Sequence, residues 1–309
     1  MASIVKSYSF PVGEIRGDMF YIQHNSNNFT IIDCFLKEGY DKNCRCSEIL
    51  KEVQYMSRNR ICRFISTHPD KDHILGIDKL DEAWEILNFY AVDNSTPADY
   101  QDKSLTKYLE LLSSKNYAIK RDIFRQWLND DDNTNGSSGL NFLWPVLTNE
   151  KFKETLQNVS KGGSPNNISC ALTYTVSEGP VYMWMGDMET DMQQEFYNCC
   201  KYTLPRVDIL FQPHHGRKSG AVPNDLLSAL NPKLIIIGNA PAEHLDYGDS
   251  DITLTQNTAG DITFLNESDM VHVFTQNPIE NVPTCLKKYP FLVHNFGDIK
   301  GHYCGTLFL

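Results

Sequence analysis

The sequence predicts one α/β domain in which β-sheets are covered by helices, and three observations lead to this prediction. Short β-rich runs alternate with turn residues in the first third of the chain. Apolar residues then take helical spacing between about residues 99 and 157, and apolar runs alternating with helical windows follow. This order is typical of sheets covered by helices, and no linker divides the 309 residues. We therefore expect residues 1–309 to form a single domain.

The first strands are predicted from short apolar runs and the turns beside them. Residues 20–23 and 29–33 flank an Asn- and Ser-rich turn at 25–28, which predicts a β-hairpin. Residues 61–66 form a short apolar run that ends in a polar cluster, as expected of a buried strand that leads into a loop.

The middle of the chain is predicted to be a helical insertion over about residues 99–157. Leu105, Tyr108, Leu109 and Leu112 are spaced i, i+3, i+4 and i+7, so they lie on one face of a helix. Beyond it, the same patterns predict strands at 168–176, 181–185, 207–212, 233–238, 261–265 and 271–274, with helices near 189–202 and 224–230.

The charge balance and hydropathy exclude several classes of protein. The chain has 28 Lys and Arg against 39 Asp and Glu, a formal net charge of −11, and 41% of its residues are hydrophobic, as in globular proteins. The mean hydropathy is −0.38, and no apolar run approaches the roughly 18 residues of a membrane span. The acidic balance argues against a broad basic face for duplex DNA, although bound metal can supply positive charge at a nucleic-acid site.

The start of the chain and its cysteines bear on the cellular compartment. Residues 1–8 contain no apolar core of signal-peptide length, which predicts a cytoplasmic location. The nine cysteines are odd in number and irregular in spacing. We therefore expect reduced thiols rather than a disulfide framework.

Four potential metal ligands lie within six residues, directly after the predicted strand at 61–66. They are His68, Asp70, Asp72 and His73. A single His or Asp would be explained by a polar turn, but two of each at this spacing favour a metal site. Loops at strand ends are also where rigid scaffolds present functional groups.

Three further segments place polar groups beside predicted strands. They are residues 166–169, residues 185–187, which end in Asp187, and residues 212–216, which contain His214 and His215. If the sheets bring these strand ends together, the four loops converge on one site.

These motifs resemble those of the metallo-β-lactamase-fold hydrolases, and more closely the hydrolase domain of the ComEC-type DNA-uptake family. The resemblance rests on five segments: Thr67-His-Pro-Asp-Lys-Asp-His-Ile-Leu-Gly76, Asn167-x-Ser169, Gly186-Asp187, Pro213-His-His-Gly216 and Ile31-Ile-Asp33. The match extends from about Gly17 to Phe264. The chain lacks the channel's membrane segments and so resembles a free-standing, soluble relative.

The sequence departs from the family pattern at several places. The histidine of the third motif is absent, and Asp70 replaces the second histidine of the first motif. Residues 99–157 resemble an insertion between motifs, and residues 271–309 resemble a C-terminal extension.

The resemblance implies an αββα sandwich with two divalent metal ions, Mn²⁺ or Zn²⁺, at one edge. It assigns His68 and Asp70 to the first metal, with Asn167 as at most a weak ligand. It assigns Asp72 and His73 to the second metal. Asp187 would bridge the two metals, and one of His214 and His215 would complete the second site. The sequence leaves open which of the two is the ligand; the other would orient phosphate or protonate a leaving group. Asp33 would be a buried carboxylate that orients the ligands.

The expected function is hydrolysis of phosphodiesters in nucleic acid or nucleotides. Two cations about 3.5–4 Å apart can hold a shared hydroxide and stabilise in-line displacement at phosphorus. Asp72, Asp187, His214 and His215 are the candidate catalytic residues. Carboxylate ligands favour manganese and imidazoles favour zinc.

Two weaker substrate contacts and two alternative functions remain open. Lys71 is either a phosphate contact or a solvated surface charge, and His244 falls on a strand-end loop where a substrate contact could lie. The alternatives are hydrolysis of a carbon ester, thioester or lactam on the same fold, and a metal-depleted, non-catalytic sensor or partner module. A protein partner would bind through the helical insertion or the C-terminal extension.

Overall fold

The computed structural model describes residues 2–10, 17–37, 45–99, 101–131, 134–249, 251–289 and 299–309. The strands are β1 Ser3–Ser7, β2 Phe20–Gln23, β3 Asn28–Ile32, β4 Cys34–Phe35, β5 Ile61–Ile65, β6 Phe89–Tyr90, β7 Leu140–Trp144, β8 Ala171–Thr175, β9 Val181–Trp184, β10 Ile209–Phe211, β11 Leu234–Ile237, β12 Thr253–Thr255, β13 Ile262–Asn266, β14 Met270–Thr275 and β15 His302–Phe308. The helices are α1 Arg45–Met56, α2 Lys71–Ile74, α3 Ile77–Trp84, α4 Lys103–Ser114, α5 Glu150–Ser160, α6 Thr190–Cys200, α7 Asn224–Leu230 and α8 Gln256–Ala259.

Fourteen of the fifteen described strands form two mixed sheets, and β4 instead makes bridges to Ile74 and Leu75. The eight-stranded sheet has the order β15-β14-β13-β1-β2-β3-β5-β6, and its β3, β5 and β6 are parallel. The six-stranded sheet has the order β12-β11-β10-β9-β8-β7, and its β9 to β12 are parallel. The predicted hairpin is present as β2 and β3, which pair antiparallel.

Aromatic side chains fill the space between the two sheets. Phe20 of the larger sheet packs with its ring centroid 6.0 Å from that of Trp184 and 5.0 Å from that of Phe211 on the smaller sheet. Phe264 packs in the same way against Tyr182 and Phe211. Burial of this apolar surface, at about 25 cal/mol per Å², holds the sheets face to face.

Helices cover both outer faces. A second apolar cluster joins β3 and β5 to buried residues of α1, α3 and α4 on the outside of the larger sheet. On the outside of the smaller sheet, Trp144 of β7 packs against Phe152 of α5 and Phe196 of α6. The layers therefore run helix, sheet, sheet, helix, and the predicted αββα sandwich is confirmed.

The segment predicted as a helical insertion is only partly helical. Helix α4 is present and buries Tyr108 and Leu111, but residues 140–144 form β7, an edge strand of the smaller sheet. The signal for β7 was the alternation of Leu140, Phe142 and Trp144, which are buried, with more exposed neighbours. In the predicted C-terminal extension, β14 and β15 lie at the edge of the larger sheet, and residues 290–298 lie outside the described residues.

The longest described helices, α1 and α4, have 12 residues each. None of the described helices has the length and apolar character needed to cross a bilayer.

Candidate metal centre

Three loops from the two sheets meet at one edge of the sandwich. The loop after β5 carries His68, the loop after β9 carries Asp187, and the loop after β10 carries His214 and His215. Backbone hydrogen bonds hold them together: the His214 amide donates to the Gly186 carbonyl at 2.9 Å, and the first loop is tied to the residue before β8, where the Cys170 amide donates to the Thr67 carbonyl at 3.1 Å. The convergence expected from the strand ends is present.

A tight turn and a short helix shape the first of these loops. The Asp70 side chain caps α2 by accepting a 2.7 Å hydrogen bond from the Lys71 amide. One turn of helix then places Asp72 and His73 on the side that faces the other two loops, where His73 is completely buried.

Gly186 allows Asp187 to reach the same point. Its φ of +52° is in the left-handed region, and a Cβ there would lie 2.8 Å from the hydroxyl oxygens of Ser169 and Thr67. The Ser169 hydroxyl also accepts a 3.1 Å hydrogen bond from the Asp187 amide. A side chain at 186 would therefore push Asp187 away from the first loop.

The convergent loops bring carboxylates and imidazoles into contact. Asp18, His73, Asp187 and His215 each offer a ligand atom, and these atoms lie within 4.8 Å of one another. His73 Nε2 is 3.1 Å from Asp187 Oδ1, and His215 Nε2 is 3.5 Å from Asp187 Oδ2 and 3.1 Å from Asp72 Oδ2. We call the seven residues His68, Asp70, Asp72, His73, Asp187, His215 and Asp18 the metal cluster.

Orphaned buried atoms in this cluster fit a bound cation. His68 Nε2, His73 Nε2 and Asp187 Oδ1 are buried, and among the described residues none of them makes a well-oriented hydrogen bond, although His73 Nε2 and Asp187 Oδ1 face each other at 3.1 Å. The His68 and His73 rings lie 4.2 Å apart between centroids. An unsatisfied buried polar atom costs roughly 1–3 kcal/mol, and all three atoms can bind a metal, His73 Nε2 after it has lost its proton. The mixed nitrogen and oxygen donors suit manganese, iron or zinc.

The charged groups of the metal cluster shift one another's pKa values. Burial and the neighbouring His73 lower the pKa of His68 to about 3. Burial also disfavours protonation of His73 and His215, but two carboxylates together outweigh it, Asp187 with Asp33 for His73 and Asp187 with Asp18 for His215, and they raise the pKa of both well above the ordinary value. Burial opposes ionisation of Asp72, yet the hydrogen bond from His215 and the charge on His73 lower its pKa to about 2.

We expect metal binding to release protons, because the pKa values of His73 and His215 are raised. At neutral pH the metal-free protein carries protons on His73 and His215, and a nitrogen must lose its proton to bind a metal. Affinity should therefore rise with pH, with release of up to about two protons per chain below the raised pKa values. Calorimetric titration with Mn²⁺ or Zn²⁺ in buffers of different ionisation enthalpy measures the release. A binding enthalpy that does not depend on the buffer would contradict these protonation states.

Asp33 and Asp18 hold the imidazoles from behind. Asp33 is buried, and its Oδ2 accepts hydrogen bonds from His73 Nδ1 at 2.8 Å and from the Thr67 hydroxyl at 2.7 Å. This is the orienting position expected from the sequence. Asp18 Oδ1 lies 3.2 Å from His215 Nδ1. Asp18 could not be predicted as a site residue, because it has no potential ligand beside it in the sequence and precedes β2 by two residues.

The two neighbouring histidines take different places. Both have φ values in the left-handed region, +53° for His214 and +54° for His215. His215 is buried in the cluster, whereas His214 is partly exposed, with Nδ1 held 2.9 Å from the Ser219 hydroxyl and Nε2 3.7 Å from Asp187 Oδ2. The geometry therefore favours His215 as the ligand and leaves His214 at the border of the cluster.

Asn167 is not brought into the cluster, contrary to its assignment as a weak ligand. Its side-chain oxygen accepts a 2.9 Å hydrogen bond from the Glu189 amide, and its side-chain nitrogen donates to Glu189 Oε2 at 2.8 Å. Glu189 is the residue before the first turn of α6. Asn167 thus anchors the start of that helix.

Replacing Asn167 with alanine is therefore expected to lower stability and leave metal content unchanged. The loss of the bonds to Glu189 should cost about 1 kcal/mol. Urea unfolding and metal analysis of the same sample measure the two effects. The loss of a metal equivalent from a folded Asn167→Ala protein would instead show that Asn167 is a ligand.

Lys71 and His244, the two weaker substrate candidates, lie on the surface. The Lys71 side chain is 55% exposed, and its Nζ is 4.0 Å from Asp102 Oδ2. His244 is exposed on a short turn at Ala242–His244. No described hydrogen bond or ion pair joins either side chain to the metal cluster.

Comparisons with known proteins give distant structural similarity. No family model matches the sequence, and no curated protein matches it. Fifteen solved chains are similar, and three of them are the following. CmlA, a diiron β-hydroxylase from Streptomyces venezuelae, has 12% identity and a TM-score of 0.43 over 80% of this chain and 48% of that one. A mutant of CmlA has 12% identity and a TM-score of 0.44 over 76% and 45%. A long form RNase Z from yeast has 10% identity and a TM-score of 0.42 over 82% and 40%. This chain spans less than half the length of each.

Proposed function

We propose that this chain is a dinuclear-metal-dependent hydrolase that cleaves phosphodiesters in nucleic acid or nucleotides. The observation that carries the proposal is the buried set of orphaned imidazole and carboxylate atoms where three strand-end loops meet. The resemblance of the motifs to the ComEC-type hydrolase domain supports a nucleic-acid or nucleotide substrate.

The residues divide into two ligand sets that share Asp187. His68 and Asp70 would hold one cation, and Asp72, His73 and His215 would hold the other. When bound there, two cations would supply Lewis-acid chemistry, activating water near neutral pH and neutralising charge on the phosphoryl oxygens. The chain would hold the ligand atoms in a fixed orientation. Asp33 orients the His73 imidazole, and Asp18 orients the His215 imidazole.

We propose that His214 acts on the substrate rather than as a metal ligand. When the Ser219 hydroxyl donates to Nδ1, the neutral imidazole carries its proton on Nε2, on the side of the cluster. Burial, together with the charges of His215 and Arg217, lowers the pKa of His214, although Asp187 opposes the shift. We assign His214 to hydrogen bonding with a phosphoryl or leaving-group oxygen.

The donor set favours a hard cation at the first site. Because the Asn167 side chain is hydrogen-bonded to Glu189, the proposed first site has one nitrogen ligand, His68. Its other proposed ligands are the carboxylate oxygens of Asp70 and Asp187. Oxygen ligands suit manganese, although zinc binds most mixed sites more tightly. We therefore expect the highest turnover with Mn²⁺ even where Zn²⁺ binds better.

Asp70→His is expected to shift the metal preference toward zinc. The matched control is Asp70→Asn, because asparagine also caps a helix and preserves the bond to the Lys71 amide. Stripped protein reconstituted with Mn²⁺, Mg²⁺ or Zn²⁺ in turn gives the turnover for each metal. If zinc alone restores activity and Asp70→His changes nothing, Asp70 is not a ligand.

A substrate panel tests the proposed reaction. The reconstituted protein is assayed on a chromogenic phosphodiester, single- and double-stranded DNA, RNA, cyclic dinucleotides, a carboxylic ester, a thioester and a lactam. The proposal expects phosphodiester hydrolysis. Turnover of the carbon substrates alone would assign the second reaction class, and a folded protein that binds one metal or none and turns over nothing would be a sensor or partner module.

A further inference from the structure

A surface groove of about 520 Å³ lies in residues 116–125, outside the metal cluster. Its lining includes Tyr117, Lys120, Phe124 and Arg125. Neither the family motifs nor the metal ligands fall in this segment, which lies within the predicted insertion.

The first half of the segment extends the larger sheet beside β6. The Tyr117 amide donates to the Phe89 carbonyl at 2.8 Å, and the Ile119 amide donates to the Ala91 carbonyl at 2.9 Å. Because β6 is parallel to β5, Ile119 lies toward the same end of the sheet as His68. Two strand spacings, roughly 10 Å, separate this backbone from β5.

The second half crosses to the edge of the smaller sheet. The Arg121 amide donates to the Pro145 carbonyl at 2.8 Å, at the carboxyl end of β7. Strand β7 runs in the same direction as β9, whose carboxyl end leads to Asp187. Lys120 therefore lies at the end of the sandwich that carries the metal cluster, and the groove continues from it along the side of the sandwich.

The groove combines positive charge with exposed aromatic surface. Its charged lining residues are Lys120 and Arg125 against the single acid Asp122, a net positive charge on a chain whose net charge is −11. Lys120 is exposed and Phe124 is 70% exposed. The Arg125 guanidinium carbon lies 3.4 Å from the centroid of the Tyr117 ring. Aromatic and guanidinium planes stack on nucleobases, and isolated cations contact phosphates.

We propose that this groove binds a single-stranded polynucleotide next to the metal cluster. The inference rests on the proposed function and names its substrate class. Bases stack on Phe124 and on the paired Tyr117 and Arg125, while Lys120 contacts the backbone phosphate nearest the cluster. A single strand is favoured over a duplex because the basic surface is one narrow segment of an acidic protein.

The test compares two matched double variants. Lys120→Glu with Phe124→Ala removes the groove's exposed cation and exposed ring, and Lys51→Glu with Tyr55→Ala makes the same changes on the exposed face of α1. For a 20-nucleotide single strand, the groove variant is expected to raise KM at least about tenfold, since each stacked base contributes substantially to affinity. Its kcat and its hydrolysis of bis(p-nitrophenyl) phosphate should stay unchanged, and the control should match the unmodified protein.

Binding without catalysis separates this inference from the proposed function. Fluorescence anisotropy with a labelled oligonucleotide in EDTA should show weaker binding by the groove variant, and Lys120→Gln should reduce the salt slope by about 0.7. Binding through the groove with no hydrolysis of any phosphodiester would uphold the groove and overturn the proposed function. Equal affinity of both double variants, or tighter binding of duplex than of single strand, would overturn the groove.

Discussion

Replacing Asp187 with asparagine is expected to abolish phosphodiester hydrolysis and to remove at least one bound metal per chain. Asp187 contacts His73 and His215 of one proposed ligand set through its two oxygens, and its charge also acts on His68 of the other, so we propose it as the carboxylate that the two sets share. The amide preserves the shape of the side chain but removes its charge. We expect activity to fall by roughly a thousandfold or more, because charge stabilisation in such sites is usually the largest catalytic contribution.

The control for this variant is Asp191→Asn, an acid-to-amide change at an exposed position in the first turn of α6. It should keep full activity and metal content. The Asp187→Asn protein should remain folded by circular dichroism, because Asp187 serves the metal cluster rather than the apolar core. Full activity in folded Asp187→Asn protein would refute the assignment of the site.

Replacing Asp33 with asparagine is expected to weaken metal binding by roughly 10- to 100-fold. The φ of Asp33 is +55°, a conformation that asparagine tolerates, so the backbone should be preserved. The new amide would present N–H groups to His73 Nδ1, which now donates to the carboxylate at 2.8 Å. His73 would then carry its proton on Nε2, the atom that must bind the metal.

Asp78→Asn is the matched control, because Asp78 is a half-buried acid of α3 that accepts a hydrogen bond from Ser104 and does not touch the cluster. Metal affinity is measured by competition with a chromophoric chelator at fixed pH. If Asp33→Asn and Asp78→Asn retain the same affinity, the imidazole is oriented by something other than Asp33.

The fold class and the motif residues could be predicted from the sequence because both depend on local patterns along the chain. Short apolar runs bounded by turn residues reflect the burial of a strand, so nine of the fifteen described strands could be assigned within about three residues. His68, Asp72 and His73 could be assigned because one loop after one strand carries all three. The prediction that Asp187 and His215 belong to the same site required only that neighbouring strand ends meet, which is a general property of parallel sheets.

The remaining features depend on contacts between distant parts of the chain. Asp18 reaches His215 across 197 positions, and nothing near Asp18 indicates that contact. Asn167 occupies a motif position, yet its side chain is hydrogen-bonded to Glu189, 22 residues later in the chain. Strand β7 was hidden inside a segment whose first part is helical, because its five residues were too few to change the interpretation. The groove at residues 116–125 exists only because that segment connects two sheet edges.

Anomalous diffraction from crystals of the protein loaded with Mn²⁺ tests the two-metal account most directly. We expect two anomalous peaks about 3.5–4 Å apart, one on each side of Asp187. One peak should lie beside His68 and Asp70, and the other beside His73 and His215. A single peak, or peaks only outside the metal cluster, would contradict the account.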